Sequence, residues 1–172
     1  MNYLLNYRIK KNFIWGVRML HLKFIILFTI AHTVSYTAAG AIALKFSKDI
    51  YESKNRLCNF LNDMEVEEER KHVEKYFLLA QIARGFLMAV VLIPIVSALK
   101  NFMFIMQFIF FASLMFVYTH ISSAAPFMDN IEGQVYFKKE YLLRKAFFKF
   151  QLEMVMYSVL FGFIMTLFMN LI

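Results

Sequence analysis

The chain has 172 residues, 60% of them hydrophobic, with 21 Phe, 12 Met and a formal net charge of +7. Soluble domains are about 45–50% apolar, so the composition argues against a solvated globule, and 5 Gly and 2 Pro leave little turn punctuation. The single cysteine, Cys58, excludes an intramolecular disulfide and a cysteine-based zinc site.

Residues 1–22 carry Arg8, Lys10, Lys11 and Arg18 beside Phe13 and Trp15, the make-up of a basic interfacial flank. The first long apolar run is 24–46. Its basic start and the Ala39-Gly40-Ala41 triplet resemble a secretory leader in outline. The basic region is too long for one, however, His32 interrupts the apolar run, and that run continues past the triplet. An uncleaved span is expected. His32, Tyr36, Ala39, Gly40 and Ala43 share one helical face, where small residues let a neighbouring backbone come close.

A charged stretch, Lys45 to Lys75, follows. Residues 47–61 read as irregular; Cys58 lies there, and a thiol probe on it is expected to report which side of a membrane the loop occupies. Residues 65–75 read as helical, with Glu67–Lys71 and Glu68–His72 at i,i+4 spacing, and run into a second span, 76–99, that repeats small residues at Ala80, Ala83, Gly85 and Ala89. Only Leu99-Lys100-Asn101 separates it from a third span, 102–124, which predicts a tight antiparallel pair. Residues 126–133 read as a turn. A basic amphipathic flank is expected over 134–147, with Lys138, Lys145 and Lys149 on one stripe suited to anionic lipid headgroups. The fourth span is 148–172.

About 20 helical residues cross the hydrocarbon core, and lipid requires each backbone polar group to be paired within its segment. The expected fold is therefore all-α: one membrane domain, residues 1–172, forming a four-transmembrane-helix antiparallel bundle with amphipathic interfacial segments. Both long loops fall on one side and both tails on the other. The loop side carries twelve Lys and Arg, the tail side six, and Arg84 sits within a span. The positive-inside rule thus favours cytoplasmic loops, in a plasma or inner membrane. The positive charge fits lipid headgroups and is poor evidence for nucleic acid. The expected partners are the bilayer and further copies or other chains in an oligomer.

Ionisable groups inside spans cost roughly 2.5–3.5 kcal/mol on insertion scales and turn inward. Four are present: His32, Arg84, His120 and Glu153. Counted at 1.5 Å per residue, Arg84 lies about 12 Å, Glu153 about 7 Å, His120 about 6 Å and Tyr36 about 14 Å from the loop side. The candidate cluster is Tyr36, Gln81, Arg84, His120 and Glu153, with His32, about 20 Å in, secondary. An Arg84–Glu153 ion pair is expected at its centre. It reads either as a structural pair that sets how the helices pack, or as a small polar pocket for a headgroup, an ion or a proton.

No two histidines match in depth on facing spans, so bis-histidine haem is not expected. Glu69-Arg70-Lys71-His72 offers one Glu-x-x-His where a di-iron bundle needs two and further carboxylates, so no metal or cofactor is expected. Nucleotide-binding and hydrolase motifs are lacking. Two functions remain open: a non-enzymatic accessory, scaffold or oligomeric transport component, and a small membrane enzyme or lipid-binding protein that uses the polar cluster.

Overall fold

A computed structural model describes the backbone of residues 2–52 and 56–172, and side chains from residue 14 onward within that range. The helices are α1 (Asn2–Phe46), α2 (Lys48–Tyr51), α3 (Glu67–Leu92), α4 (Val96–Lys100), α5 (Phe104–Ser113), α6 (Ile131–Tyr136) and α7 (Arg144–Met169). A 3-10 turn, Ile93–Ile95, joins α3 to α4, and a π-helix, Leu114–Ile121, continues α5. The fold is 79% helical, with no strand among the described residues.

Four helical stretches are long and apolar enough to cross a membrane: Ile14–Phe46, Glu67–Lys100, Phe104–Ile121 and Arg144–Met169. They overlap the four expected spans, with shifted ends. The first begins well inside the basic flank, because α1 runs unbroken from Asn2. Of that flank, 1–22, the side chains of 1–13 lie outside the described residues. The second includes the charged turns expected to precede it; Glu67, Glu68 and Glu69 occupy its first turn, where carboxylates meet the unpaired N–H groups of the helix start. Its break at Ile93–Ile95 contains Pro94, which has no N–H to continue the ladder.

α1 lies against both α3 and α7, and α7 lies against α5 and the π-helix. The spans therefore form a row in the order two, one, four, three. The expectation that spans two and three pack as a tight pair is corrected: their connection is short, yet α3 makes no extended contact with α5. A three-residue link, 101–103, fixes where two helix ends meet, not the angle at which the helices part.

The core near the chain ends is apolar. Phe28 meets Phe161 edge-on at 4.9 Å and Phe111 at 6.5 Å, and Phe111 meets Phe161 at 6.1 Å. Phe24, Val96, Leu99, Met165 and Met169 complete this core. Gln107 and Thr166 are buried polar residues here; the Gln107 amide donates to the carbonyls of Leu99 and Phe102, each at 3.1 Å, at the link between α4 and α5, and the Thr166 hydroxyl donates to the Gly162 carbonyl at 2.7 Å.

At the other end the two long loops pack on each other. Ile50, Cys58, Met128, Ala146 and Phe150 form a second small core. Lys145 and Lys149 both pair with Asp49, and Arg56 pairs with Asp63. Asn130 organises the second loop: its Oδ1 accepts from Gly133 N at 2.8 Å and Phe127 N at 3.1 Å, and its Nδ2 donates to Ala125 O at 2.7 Å. Gly133 is required, since a Cβ there would lie 1.5 Å from the Phe127 carbonyl oxygen.

The segment 134–147, expected as an amphipathic flank, is not one continuous helix. The segment is broken into α6, a 3-10 turn at Lys139–Tyr141 and the start of α7. Lys145 and Lys149 point to Asp49 rather than sharing a free stripe with Lys138. Lysines with a carboxylate in reach form the pair inside the chain first.

Candidate functional site

The side chains of the loop-facing half meet in three groups. The deepest centres on His32, which is wholly buried. Its Nε2–H donates to Gln81 Oε1 at 3.2 Å, and its Nδ1 accepts from the Tyr157 hydroxyl at 2.6 Å. The Met115 sulfur lies 2.9 Å from the same hydroxyl. Helices α1, α3, α7 and the π-helix are thus joined through one imidazole. Gly85 makes this possible: a Cβ there would stand 3.1 Å from both the His32 ring and Thr29 Cα. Buried polar groups without partners are costly, so this network selects one register for four helices.

The second group is Arg84 with Tyr36. The guanidinium lies 5.6 Å from the centre of the Tyr36 ring, a cation–π distance. Tyr36 in turn lies 5.3 Å from Tyr157 and 6.0 Å from Phe77.

The third group lies at the loop end. The Tyr51 hydroxyl donates to Glu153 Oε2 at 3.0 Å. His120 Nε2 stands 3.5 Å from Asp129 Oδ2, close enough for charge attraction but out of line for a hydrogen bond. Gln151 Nε2 donates to the Asp129 carbonyl at 2.5 Å. Asp129 is 3% exposed, and its Oδ1 has no partner among the described residues. Burial pushes the Asp129 carboxyl up, opposed by the nearby His120. Burial, followed by the Glu153 carboxylate beside it, drives the Tyr51 hydroxyl far above the usual phenol range.

Among the predicted site residues, Gln81 joins His32, and Arg84 lies over Tyr36; His120 and Glu153 turn to residues of the loops. The Arg84–Glu153 ion pair does not form: among the described residues no carboxylate lies within 4.0 Å of Arg84. His32, secondary by depth counting, is the best-connected polar side chain of the spans. Tyr51, Asp129 and Met115 were not foreseen, because nothing in a loop tyrosine, a turn aspartate or an apolar methionine marks it in sequence. Tyr157 could have been found: it follows Glu153 by four residues and so shares its face of span four.

The described residues contain no group of three or more His, Cys, Asp or Glu placed to hold a metal ion. Ser35 and Ser158 are buried with hydroxyls that have no partner among the described residues, so neither is paired with a base. The contacts among these groups are hydrogen bonds and charge placement. No protein-family model, no curated protein and no solved structure matches the chain.

Proposed function

We propose that the protein is an integral membrane protein whose four spans run up and down in an antiparallel bundle, and that its role is non-enzymatic, as an accessory, a scaffold or a component of an oligomeric transport assembly. One observation supports this reading: several polar side chains of the apolar helices find partners inside the chain, while the outer faces are apolar. His32, Gln81, Tyr157, Glu153 and Gln107 each have a partner inside the chain. The outward side chains Leu79, Leu87, Val91, Ile105 and Phe163 are 50–76% exposed, which suits lipid tails or neighbouring helices. The excess of Lys and Arg on the two long loops places those loops in the cytoplasm, in a plasma or inner membrane, among anionic headgroups.

Paired cysteine probes test the topology. In a Cys58→Ala background, Glu68→Cys and Asn101→Cys lie at opposite ends of span two. An impermeant maleimide applied to intact cells should label Asn101→Cys and spare Glu68→Cys. Equal labelling of both removes the crossing. For the role, Tyr51→Phe with Glu153→Gln should fold and keep its cellular function; loss of function in a folded double variant would point to chemistry at that pair.

A second reading, a lipid-binding protein or small membrane enzyme using the Arg84, His120 and Glu153 region, is favoured by one specific feature: among the described residues no carboxylate lies within 4.0 Å of Arg84.

A further inference from the structure

We infer that Arg84 is the seat for the phosphate of an anionic lipid, which reaches it sideways from the bilayer through the opening between spans two and three. The inference rests on the lipid-binding half of the second reading above, and it names the ligand class.

Arg84 flanks the stripe of α3 formed by Phe77, Gln81, Gly85 and Met88, at helical spacing, with Gln81 and Gly85 buried. That stripe lies on α1, where Gly85 meets His32 and Phe77 meets Tyr36. The guanidinium comes over Tyr36, which itself stacks toward Tyr157 of α7. It therefore leaves the α1–α3 seam on the side of span four. On that side, among the described residues, α3 has no extended contact with α5. Arg84 is half-buried.

The charge balance then asks for an anion. A guanidinium stays charged at any working pH, and within a span it is costly unless paired. Two acidic residues toward the loop end have other neighbours: Glu153 accepts from Tyr51, and Asp129 faces His120. The Tyr36 ring supplies a cation–π contact, weaker than a charge-assisted ion pair in the same surroundings. The guanidinium also carries a planar N–H edge. That edge matches a phosphate, which it can meet with two parallel hydrogen bonds. Exposed apolar residues of α3 on the same face as Arg84, Leu87 (63%) at i+3 and Val91 (76%) at i+7, would lie along acyl chains. An amphiphile with a phosphate head matches both features. Free phosphate matches only the first.

The test is thermal unfolding of the full chain in a neutral detergent, with added phosphatidylglycerol, phosphatidylcholine or inorganic phosphate. Phosphatidylglycerol should raise Tm of the native protein, with little or no rise from the other two. Arg84→Gln should lose the phosphatidylglycerol shift, and Arg84→Lys, which keeps the charge but not the two-pronged edge, should keep a reduced one. Should Arg84→Gln fail to fold, the Arg84→Lys comparison carries the test, and an undiminished shift there overturns the proposal. A shift retained in Arg84→Gln assigns the lipid to surface lysines and overturns it. An equal shift from inorganic phosphate overturns the lipid source. A dimer that Arg84→Gln dissociates regardless of lipid puts a partner's carboxylate on Arg84 and overturns the proposal. If no lipid shifts the native protein while alkaline carbonate fails to extract it, the lipid-binding reading falls and membrane insertion stands.

Discussion

Substituting Gly162 by Ala should part α7 from α5. A Cβ at this position would stand 2.9 Å from Ala112 Cβ, 3.0 Å from Ala112 N and 3.1 Å from the Phe108 carbonyl oxygen. Non-bonded carbons sit at about 3.5–4.0 Å, so the two helices must move apart by roughly 0.5–1 Å at this level, and two of the three obstructing atoms are backbone. The shift loosens the neighbouring Phe111–Phe161 edge contact, now at 6.1 Å. Overpacking of this kind costs about 1–3 kcal/mol, and the better helix propensity of Ala returns up to about 1 kcal/mol. A net loss of about 1–2 kcal/mol should lower Tm by a few degrees for a chain of this size. Gly40→Ala is the matched control: its Cβ would have Glu153 Oε1 as nearest neighbour, at 4.0 Å, so it gains propensity without strain. Thermal unfolding in detergent compares the two, and Ala112→Gly should return part of the loss in the Gly162→Ala background. A Gly162→Ala protein as stable as Gly40→Ala would refute the reasoning that the α5–α7 spacing is set at this glycine.

Tyr157→Phe removes the donor to His32 Nδ1 and should destabilise by about 1–3 kcal/mol, the cost of leaving a buried acceptor unmet; an unchanged Tm would show that the imidazole finds another partner. Asp49 gives a pH-dependent attachment of the loops: burial raises its pKa, but the ammonium groups of Lys145 and Lys149 together outweigh burial and hold the carboxyl below its usual 3.8. The pairing therefore contributes fully above pH 3.8 and is lost only as pH falls through the lower, folded value; Asp49→Ala should flatten this acid limb of Tm against pH. High salt should weaken the same pair in the native protein, since Asp49 is about a third exposed. Cys58 is buried, and burial, followed by the Asp129 and Asp49 carboxylates, pushes its thiol up to about 11. It should resist maleimide until the loops unfold, so thiol labelling of the native chain reports loop opening rather than sidedness, contrary to the expectation from its loop position. Rapid labelling of the native chain would show that the two loops do not pack as described.

Much of the architecture was legible in the residues because it depends on local properties. Apolar runs of 20 or more residues leave the backbone no paired state in lipid but helix, and these runs read directly at all four stretches. The acidic first turn of α3 and the inward face of α1 around His32 follow from helical spacing in the same way. The order of the helices does not, since it depends on which side chains from distant segments fit together. Residues 125 apart in sequence, His32 and Tyr157, meet because Gly85 lets α3 come close to α1 while Met115 fills the remaining side. Depth counting placed Glu153 near Arg84, yet tertiary structure gave Glu153 to Tyr51, a residue from a loop with no regular pattern to place it. The same folding of loop onto helix end brings Lys145 and Lys149 to Asp49, a pairing that the expected basic stripe did not foretell. The opening beside Arg84 is likewise a tertiary property, because a short link between spans two and three limits their ends and leaves their separation to whatever packs between them.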